Sequence, residues 1–303
     1  MSAQHAFNSS TFQSTIEQTC DDLISDVDCL ILHSIGRASE QTSAIDNVCL
    51  AAAKYHLSSG GHKIRARLCI EACIALDIKY QDMLIMAALC ELLHNASLIH
   101  DDIQDGDTIR RDIETVWKKF GVNVALCTGD FLLSAAYGVL ANFSDIQLIP
   151  KLIATIHQRT SSVIQGQTAD IAYQNQPLCS VSNYQKIAIA KSGALLSLPI
   201  ELALMASNHM ESIADARAAA ESFAIAYQIA DDLCDIDKDA NCHSLNIVFV
   251  LKAAGERQNS IQVAKTLALQ HLQAASNLAT KLPNNCGALL IELVGQLKQK
   301  LTH

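Results

Sequence analysis

The sequence is poor in the residues that interrupt or replace helices. Among its 303 residues, proline occurs 4 times and aromatic residues make up 5%, whereas hydrophobic residues make up 50%. So few prolines leave long stretches uninterrupted, and the hydrophobic half of the chain suffices for a substantial core. No linker-like stretch divides the chain, although it exceeds the usual size of one domain. We therefore expect packed helices in a single domain, residues 1–303.

The chain also lacks an excess of positive charge. Its 22 Lys and Arg against 31 Asp and Glu give a net charge of −9. A nucleic-acid binder needs the opposite balance to neutralise phosphates, so this composition excludes that class of function. An anionic substrate would have to be bound through bridging cations.

Paired cysteine motifs and secretion signals are absent as well. The 11 cysteines show no Cys-x-x-Cys spacing, and their odd number suits free thiols in a reducing compartment. The first residues, MSAQHAFNSS, lack the basic segment and apolar run of a signal peptide. The most apolar helical segments contain Glu91, His94 and Asp130. We expect a cytoplasmic protein without a transmembrane segment.

Apolar residues recur at the helical spacing of three and four along most of the chain. The segments with this period are 11–35, 43–57, 64–76, 81–105, 122–142, 146–171, 184–206, 211–235, 244–254 and 259–281. Turn-forming residues interrupt the pattern at Ser58-Ser59-Gly60-Gly61, at Asn175-Gln176-Pro177, at Asp237–His243 and at Pro283–Gly287. No alternating strand pattern competes with this period. The sequence predicts an all-α bundle of about ten or more helices around a central apolar cavity.

Two acidic clusters of the form Asp-Asp-x-x-Asp end two of these apolar helices. Asp101 and Asp105 of the first cluster are four residues apart, so their carboxylates lie on one helix face and can share a cation. Asp231 and Asp235 of the second cluster repeat this spacing. Carboxylates beside an apolar wall repel one another unless cations hold them, and oxygen-only ligation with room for water suits Mg²⁺. One such cluster is most often a solvated helix end, but two copies favour a function.

Two magnesium-binding rims at the mouth of an apolar interior suit a hydrophobic diphosphate. Cations there would neutralise a diphosphate leaving group and allow an allylic C–O bond to ionise. The apolar interior would keep water from capturing the resulting carbocation.

Basic residues flank the first cluster on both sides. Arg110-Arg111 follow it, and guanidinium groups match diphosphate oxygens. Upstream, Gly60-Gly61 and the basic residues after them form a turn before a helix, where backbone N–H groups can hold phosphate. An exposed basic pair and a helix-capping glycine pair remain the alternatives.

The order of these motifs resembles that of the trans-prenyl diphosphate synthases, also called polyprenyl synthetases. The matching pieces are Gly60-Gly61-x-x-x-Arg65, Glu91-x-x-His94, Ser97-Leu98-Ile99-His100-Asp101-Asp102-x-x-Asp105, Arg110-Arg111, Gly166-Gln167-x-x-Asp170, Lys191-Ser192 and Gln228-x-x-Asp231-Asp232-x-x-Asp235. The resemblance covers most of the chain and implies the isoprenoid synthase type of fold, a homodimer and two or three Mg²⁺ ions.

The resemblance also implies roles for individual residues. The metal ligands would be Asp101, Asp102, Asp105, Asp231 and Asp235. The catalytic set would add Arg110 and Lys191, which contact the allylic diphosphate, together with Gln228 and Asp232. Isopentenyl diphosphate would be held at the positions of His62, Arg65, His94 and Arg111, and Lys63, Ser192 and Lys238 complete the expected substrate-binding residues. The double bond of isopentenyl diphosphate would attack the allylic cation, and no side-chain base would be required.

The chain departs from the family pattern at its basic positions. His62 stands where the family usually has lysine, and a histidine is largely neutral at pH 7, so isopentenyl diphosphate binding becomes pH-sensitive. Lys63 is the residue that would substitute for it in part. Asp112 replaces a common glycine, and the loop from Ile236 to Asp239 lacks the usual Gly-Asp and Gly-Lys elements, which leaves Lys238 as a candidate for the missing charge.

The helix before Asp101 bears on product length, because its inward face forms the tunnel wall in this family. Ala96 and Ser97, about one turn upstream, are small, where short-chain enzymes tend to place an aromatic residue. One isoprene unit spans roughly one helical turn of about 5.4 Å. We expect a product of about twenty carbons or more, with Leu89 or Met86 as the floor of the tunnel.

Three other functions are compatible with parts of this motif pattern. A class I terpene cyclase needs an Asn/Asp-x-x-Ser/Thr-x-x-x-Glu element, which is absent from the sequence. A ferritin-like di-metal site needs a second copy of Glu91-x-x-His94, which is also absent. A catalytically weak regulatory subunit is the more serious alternative, because the basic loop is altered while both Asp clusters are intact.

Overall fold

The computed structural model describes residues 20–40, 47–173, 180–242 and 244–302, which are mostly helical. The α-helices are α1 Cys20–Glu40, α2 Val48–Ser58, α3 Ile64–Ala75, α4 Tyr80–Asp105, α5 Val116–Phe120, α6 Val122–Gly138, α7 Ile149–Tyr173, α8 Val181–Ala188, α9 Ala194–Ala206, α10 Ile213–Cys234, α11 Ile236–Cys242, α12 Ile247–Ala253, α13 Ser260–Ala279 and α14 Ala288–Thr302. A π-helical turn, Ile189–Gly193, joins α8 to α9. The prediction of an all-α bundle is confirmed.

The observed helix boundaries agree best with the predicted ones where the apolar period of the sequence is strong. Helices α3 and α4 lie within one residue of the predicted segments 64–76 and 81–105. The predicted first helix starts in residues 11–19, which lie outside the described residues, as does the predicted break at Asn175-Gln176-Pro177.

Four elements were not predicted, and one of them is the short helix α5, Val116–Phe120. The segment 237–243, predicted as a break, belongs largely to α11, which starts one residue after α10 through the bond from the Asp239 N–H to the Asp235 carbonyl. Helix α14 carries an apolar stripe that the sequence already showed and that was missed after the turn at Pro283–Gly287. A two-stranded antiparallel hairpin, β1 Ile109–Arg110 and β2 Ile113–Glu114, carries the arginine pair.

Helix α9 forms the centre of the bundle. Its residues from Ala194 to Met205 are all buried, because α3, α4, α7 and α10 pack around it. A helix that is apolar all round is stable only when it is enclosed in this way. Two of the helices around α9, α4 and α10, end in the Asp clusters.

The close approach of α4 and α6 depends on Gly129. A Cβ at this position would lie 2.2 Å from His100 Nε2, so only glycine lets the two helices pack. The helix carrying the first Asp cluster thus packs against α6 as well as against α3.

Three helical segments are long and apolar enough to cross a membrane by length and composition alone. In the segments that begin at Tyr80 and Val181, 72% and 78% of the apolar window is buried, so packing accounts for their hydrophobicity. In Val122–Asn142 the share is 39%. The expected lack of a transmembrane segment stays a prediction.

Candidate active site

The first Asp cluster lies at the C-terminal end of α4. Gly106, with φ 71°, ends the helix in a left-handed conformation, and Asp101 and Asp105 share the face before it. Burial raises the pKa of Asp101 to about 6, and Asp105 adds to this while Lys191 opposes it. Burial also raises the pKa of Asp105. Burial thus disfavours the ionised forms of both acids, and a cation bound beside them would restore those forms.

Asp102 has a different environment from its neighbours. Its side chain is 1% exposed, and Arg110 Nε donates to its Oδ1 over 2.6 Å. Burial raises the pKa of Asp102, and the charge of Arg110 opposes that rise. Its second oxygen, Oδ2, accepts no hydrogen bond from any described residue. In this structure Asp102 therefore holds the hairpin arginine, and its role as a metal ligand stays a prediction.

In the second cluster, too, the middle acid, Asp232, has a different environment from Asp231 and Asp235. Asp231 and Asp235, at the end of α10, line the cleft described below. Asp232 borders the same cleft but is only 3% exposed, and it accepts bonds from Gln228 Nε2 (2.9 Å), the Tyr184 hydroxyl (2.8 Å) and the Ile247 N–H (2.7 Å). Burial nevertheless raises its pKa to about 7. Asp232 thus connects α8, α10 and α12 beneath the rim.

Lys191 lies in the π-helical turn between α8 and α9 and faces both Asp clusters. Its Nζ donates to Asp170 Oδ2 over 2.7 Å. Burial lowers the pKa of Lys191, but the carboxylates of Asp170, Asp105 and Asp101 outweigh burial and raise it overall. A π-helical turn projects side chains out of the regular register and often marks a functional site. Ser192 follows Lys191 in this turn.

Gly166 brings α7 against the π-helical turn. A Cβ at Gly166 would lie 2.6 Å from the Lys191 backbone nitrogen and 2.7 Å from the Ala190 Cβ. The sequence motif Gly166-Gln167-x-x-Asp170 is therefore explained by packing, because glycine permits the contact that places Asp170 beside Lys191.

A cleft of about 320 Å³ separates the ends of α4 and α10. It is lined by Gln104, Asp105, Asp107, Asp170, Ile187, Ala188, Lys191, Gln228, Asp231, Asp232, Asp235, Lys238, Asp239, Ser244 and Leu245. Asp105 of the first Asp cluster and the three acids of the second thus line one cleft together with Lys191 and Lys238, whereas Asp101 lies beside Asp105 outside this lining. We call Asp101, Asp105, Asp231 and Asp235 the carboxylate half of the site.

The predicted basic residues form a second group, the basic half: His62, Arg65, His94 and Arg111. Arg65 Nη1 lies 3.2 Å from His94 Nε2. Burial lowers the pKa of His94 well below its usual range, and the charge of Arg65 lowers it further. His94 is therefore neutral and accepts from Arg65.

Arg111 is attached to the glycine turn. It has a left-handed backbone, with φ 52°, and its Nη1 donates to the Gly60 carbonyl and, over 3.4 Å, to the Ser59 hydroxyl. Its guanidinium carbon lies 2.5 Å from the place where Gly61 would carry a Cβ. Only glycine at position 61 leaves room for this arginine.

His62 and Lys63 are placed differently from each other. His62 is exposed, and its carbonyl accepts from Arg67 Nε over 3.2 Å. Lys63, with φ 49°, forms an ion pair with Asp28 of α1. The expectation that Lys63 substitutes for a cation at position 62 conflicts with this pairing, because its charge is already compensated.

A family model described as polyprenyl synthetase matches residues 46–244 of the chain. The chain belongs to the polyprenyl synthetase family.

Relatives in this family share about a third of the aligned residues. A geranylgeranyl diphosphate synthase from Mycobacterium tuberculosis is 33% identical over 179 residues, which cover 59% of the chain and 51% of the relative. A short chain isoprenyl diphosphate synthase from Methanothermobacter thermautotrophicus is 30% identical over 205 residues, covering 67% and 63%. The chain thus spans about half to two thirds of the length of these relatives.

Solved structures of polyprenyl synthetases have the same fold. The chain superposes on geranylgeranyl pyrophosphate synthetase from Geoglobus acetivorans with a TM-score of 0.77 at 22% identity, covering 91% of the chain and 99% of that structure. For heptaprenyl diphosphate synthase from Staphylococcus aureus the TM-score is 0.79 at 21% identity, covering 94% and 99%. At this identity the likeness shows the fold.

The donor set of this polyprenyl synthetase site fits magnesium. Its rims offer carboxylate oxygens, and Mg²⁺ prefers oxygen ligands. Within the described ranges, no three His, Cys, Asp or Glu side chains converge on one point. A hard cation held by one or two carboxylates and by substrate phosphates needs no such protein cage.

Several contacts of the site were not foreseen from the sequence. Asp170 belongs to the motif Gly166-Gln167-x-x-Asp170, but no role was predicted for it. Tyr184 and Asp28 lie in no sequence motif that predicts a function. The carbonyl of Asp107 accepts from Thr115 Oγ1 and Trp117 Nε1, both over 2.8 Å, which anchors the start of the hairpin. Such partners are distant in sequence or bond to the backbone, so side-chain spacing does not reveal them.

Proposed function

We propose that this protein is a magnesium-dependent prenyltransferase that condenses isopentenyl diphosphate with an allylic prenyl diphosphate. The observation that carries the proposal is that Asp105 of the first Asp cluster, Asp231 and Asp235 of the second, and Lys191 line one cleft. Family membership supports the same reaction, because the curated relatives are named as prenyl diphosphate synthases.

In the proposed reaction the carboxylate half would hold two or three Mg²⁺ ions, which would offset the charge of the allylic diphosphate. Lys191 and Arg110 contact its oxygens directly, and Gln228 lies beside them on α10. Magnesium, when bound, supplies the charge that stabilises the departing diphosphate. The allylic C–O bond breaks, and its electron pair leaves with the diphosphate.

The basic half holds isopentenyl diphosphate so that its double bond faces the allylic carbon. The π electrons form the new C–C bond, and the proton lost from the adjacent carbon goes to the diphosphate that has left. Arg65 and Arg111 supply fixed donors, and His94 is a neutral contact. No side-chain base is required.

We also propose a product of about twenty carbons or more, since small residues line α4 one helical turn below Asp101. Ala96 and Leu93 are 3% exposed and Leu89 is fully buried. Ala96→Phe places an aromatic ring in the tunnel about one helical turn below Asp101. The product is therefore expected to be shorter by about one isoprene unit. The measurement is chromatography of dephosphorylated products, and an unchanged distribution would remove α4 from the tunnel wall.

The decisive experiment incubates the purified protein with Mg²⁺, labelled isopentenyl diphosphate and allylic primers of increasing length. We expect elongation that EDTA abolishes. Absence of elongation with every primer would instead support the regulatory subunit, an alternative favoured by the exposed His62 and the paired Lys63. Cyclic hydrocarbon without chain growth would support a terpene cyclase.

Two further properties belong to the proposal. We expect a homodimer, by analogy with the family, and a cytoplasmic location. Exposed apolar residues on α6 and α7, including Leu126 and Ile153, are compatible with a subunit contact. Sedimentation of the purified protein tests the homodimer.

A further inference from the structure

Two ion pairs connect the central helix to α7 at different depths. The upper pair is Lys191–Asp170 at the cleft, with 2.7 Å between Nζ and Oδ2. The lower pair is Arg159–Glu201, with 3.2 Å between Nε and Oε1. Because both pairs join the same two segments, α7 and the π turn with α9 run side by side between them.

The lower pair extends to α10. Arg217 Nη2 donates to the other oxygen of Glu201 over 2.9 Å. Glu201 is fully buried and Arg159 is 6% exposed, whereas the Arg217 side chain is 34% exposed, so the triad reaches solvent at that end. The Arg159–Glu201–Arg217 triad therefore joins the three helices that carry Asp170, Lys191 and Asp231 at the mouth.

The depth of the triad follows from helix geometry. Eleven residues separate Arg159 from Asp170, and ten separate Lys191 from Glu201. At about 1.5 Å per residue the triad lies about 15 Å below the upper ion pair. This distance accommodates about three isoprene units, because each spans roughly one helical turn.

Buried polar atoms that accept or donate no hydrogen bond within the described residues concentrate between the two levels. In the triad and the turn beside it they are Arg159 Nε and Nη2, Thr160 Oγ1, Glu201 Oε1 and Arg217 Nε, and nearer the mouth they are both amide atoms of Gln167. Gln167 and Val163 are three and seven residues before Asp170, so they lie on its face of α7. Arg159 Nε and Glu201 Oε1 still face each other as an ion pair. The remaining buried atoms have no hydrogen-bond partner among the described residues and require water nearby.

On the basis of the proposed prenyl transfer, we propose that the Arg159–Glu201–Arg217 triad is the floor that limits how far a prenyl chain extends below the cleft. A hydrocarbon cannot enter this layer without stripping water from charged groups. A primer of about fifteen carbons fills the space above the triad, so one more condensation gives about twenty carbons. That product is then too long to serve as a primer again.

Replacing the triad by apolar side chains of similar volume tests the floor directly. Buried ion triads tolerate this kind of replacement, whereas removal of a single partner leaves an unpaired charge. The variant is Arg159→Met, Glu201→Leu, Arg217→Met, and the control is Arg257→Met, which removes an exposed arginine. With labelled isopentenyl diphosphate and a fifteen-carbon primer, the main product is expected to grow by one isoprene unit or more, while the control keeps the wild-type distribution.

A second pair of variants approaches the floor from above and keeps the triad intact. Val163→Phe places a ring one turn above Arg159 and is expected to shorten the main product by one isoprene unit. Ile164→Phe, at a neighbouring position that is 57% exposed, is the matched control and should change nothing. If the triple variant does not fold, Val163→Phe and its control Ile164→Phe still test whether the triad is the floor.

The outcomes separate this inference from the proposed function. If the wild-type protein elongates no primer, the proposed prenyl transfer fails. If the wild type is active and both the triple variant and Val163→Phe give the wild-type distribution, the triad is not the floor. A lengthened product from the first and a shortened product from the second support it.

Discussion

The carboxylate half and the basic half of the site differ in how their charges are compensated. Burial raises the pKa of Asp101, Asp105 and Asp231, and neighbouring acids add to the shift in each case. In the basic half, Arg65 already donates to His94, and Arg111 donates to the glycine turn. The carboxylate half therefore needs cations from outside, whereas the basic half must exchange protein partners for substrate.

This difference has a physical origin. Asp101 and Asp105 have Lys191 and Arg110 as nearby cations, but these do not offset the effect of burial. In the basic half, Arg65 of α3 already has His94 as a partner, and Arg111 has the Gly60 carbonyl. We expect changes in the carboxylate half to affect catalysis, and changes in the basic half to affect binding and local order.

The largest effect is expected from Asp105→Asn, which keeps the shape of the side chain and removes its charge. The substitution should lower kcat by about 100- to 1,000-fold, the range seen when one group stabilising transition-state charge is lost. Steady-state kinetics with saturating Mg²⁺ measures it. The control is Asp130→Asn, because Asp130 is an exposed acid of α6 outside the cleft. If Asp105→Asn retained near wild-type kcat, the first rim would not bind the leaving group.

A second substitution, Arg110→Met, tests the point where the two halves meet. It leaves the buried Asp102 without its charged partner, so the free energy of unfolding should fall by about 3 kcal/mol near neutral pH. Arg110 opposes the rise of the Asp102 pKa, so its removal raises that pKa further. The stability difference should therefore be full only at pH values above the raised Asp102 pKa of the variant. It should shrink as the pH falls from that pKa towards the lower wild-type pKa, and it should be smallest where Asp102 is protonated in both proteins.

Urea unfolding at high and low pH measures this difference. The matched control is Arg111→Met, which removes an arginine with neutral acceptors and is expected to cost about 1 kcal/mol with little pH dependence. Equal losses for the two arginines at every pH would show that Asp102 does not depend on Arg110.

The smallest effect is expected from His62→Lys in the basic half. Position 62 is exposed and Lys63 is occupied by Asp28, so a lysine there adds the only new cation at the turn. The KM for isopentenyl diphosphate should fall by about 3-fold at alkaline pH and by less at acidic pH, where histidine is itself protonated.

Lys63→Met is the control for this prediction. Loss of the ion pair with Asp28 should lower stability slightly and leave this KM nearly unchanged. An unchanged KM for His62→Lys at both pH values would show that position 62 does not contact the substrate.

Much of the carboxylate half could be predicted from the sequence. Asp101 and Asp105 lie on one face because helix geometry fixes the spacing of four residues, and the apolar period of α4 extends to them. The end of α10 agrees with the predicted segment 211–235, but helix α11 was not predicted, because the polar residues from Asp237 carry no apolar period.

The residues of the basic half could be predicted from the sequence, but the contacts among them could not. Arg65 and His94 were both expected near isopentenyl diphosphate, yet their mutual hydrogen bond joins α3 to α4. The hairpin at Ile109–Glu114 was not predicted, since two residues per strand show no alternation. Its arginines adopt their positions through Asp102 and Gly60, which are contacts between elements.

The sequence by itself determined the all-α fold, the family and the face of each Asp cluster, because these follow from helical periodicity and from motifs of fixed spacing. Only the tertiary structure decided which charges are already paired: Lys63 with Asp28, Arg110 with Asp102 and Glu201 with two arginines. Side-chain pairing depends on which helices pack together and at what height, and one-dimensional spacing does not contain that information.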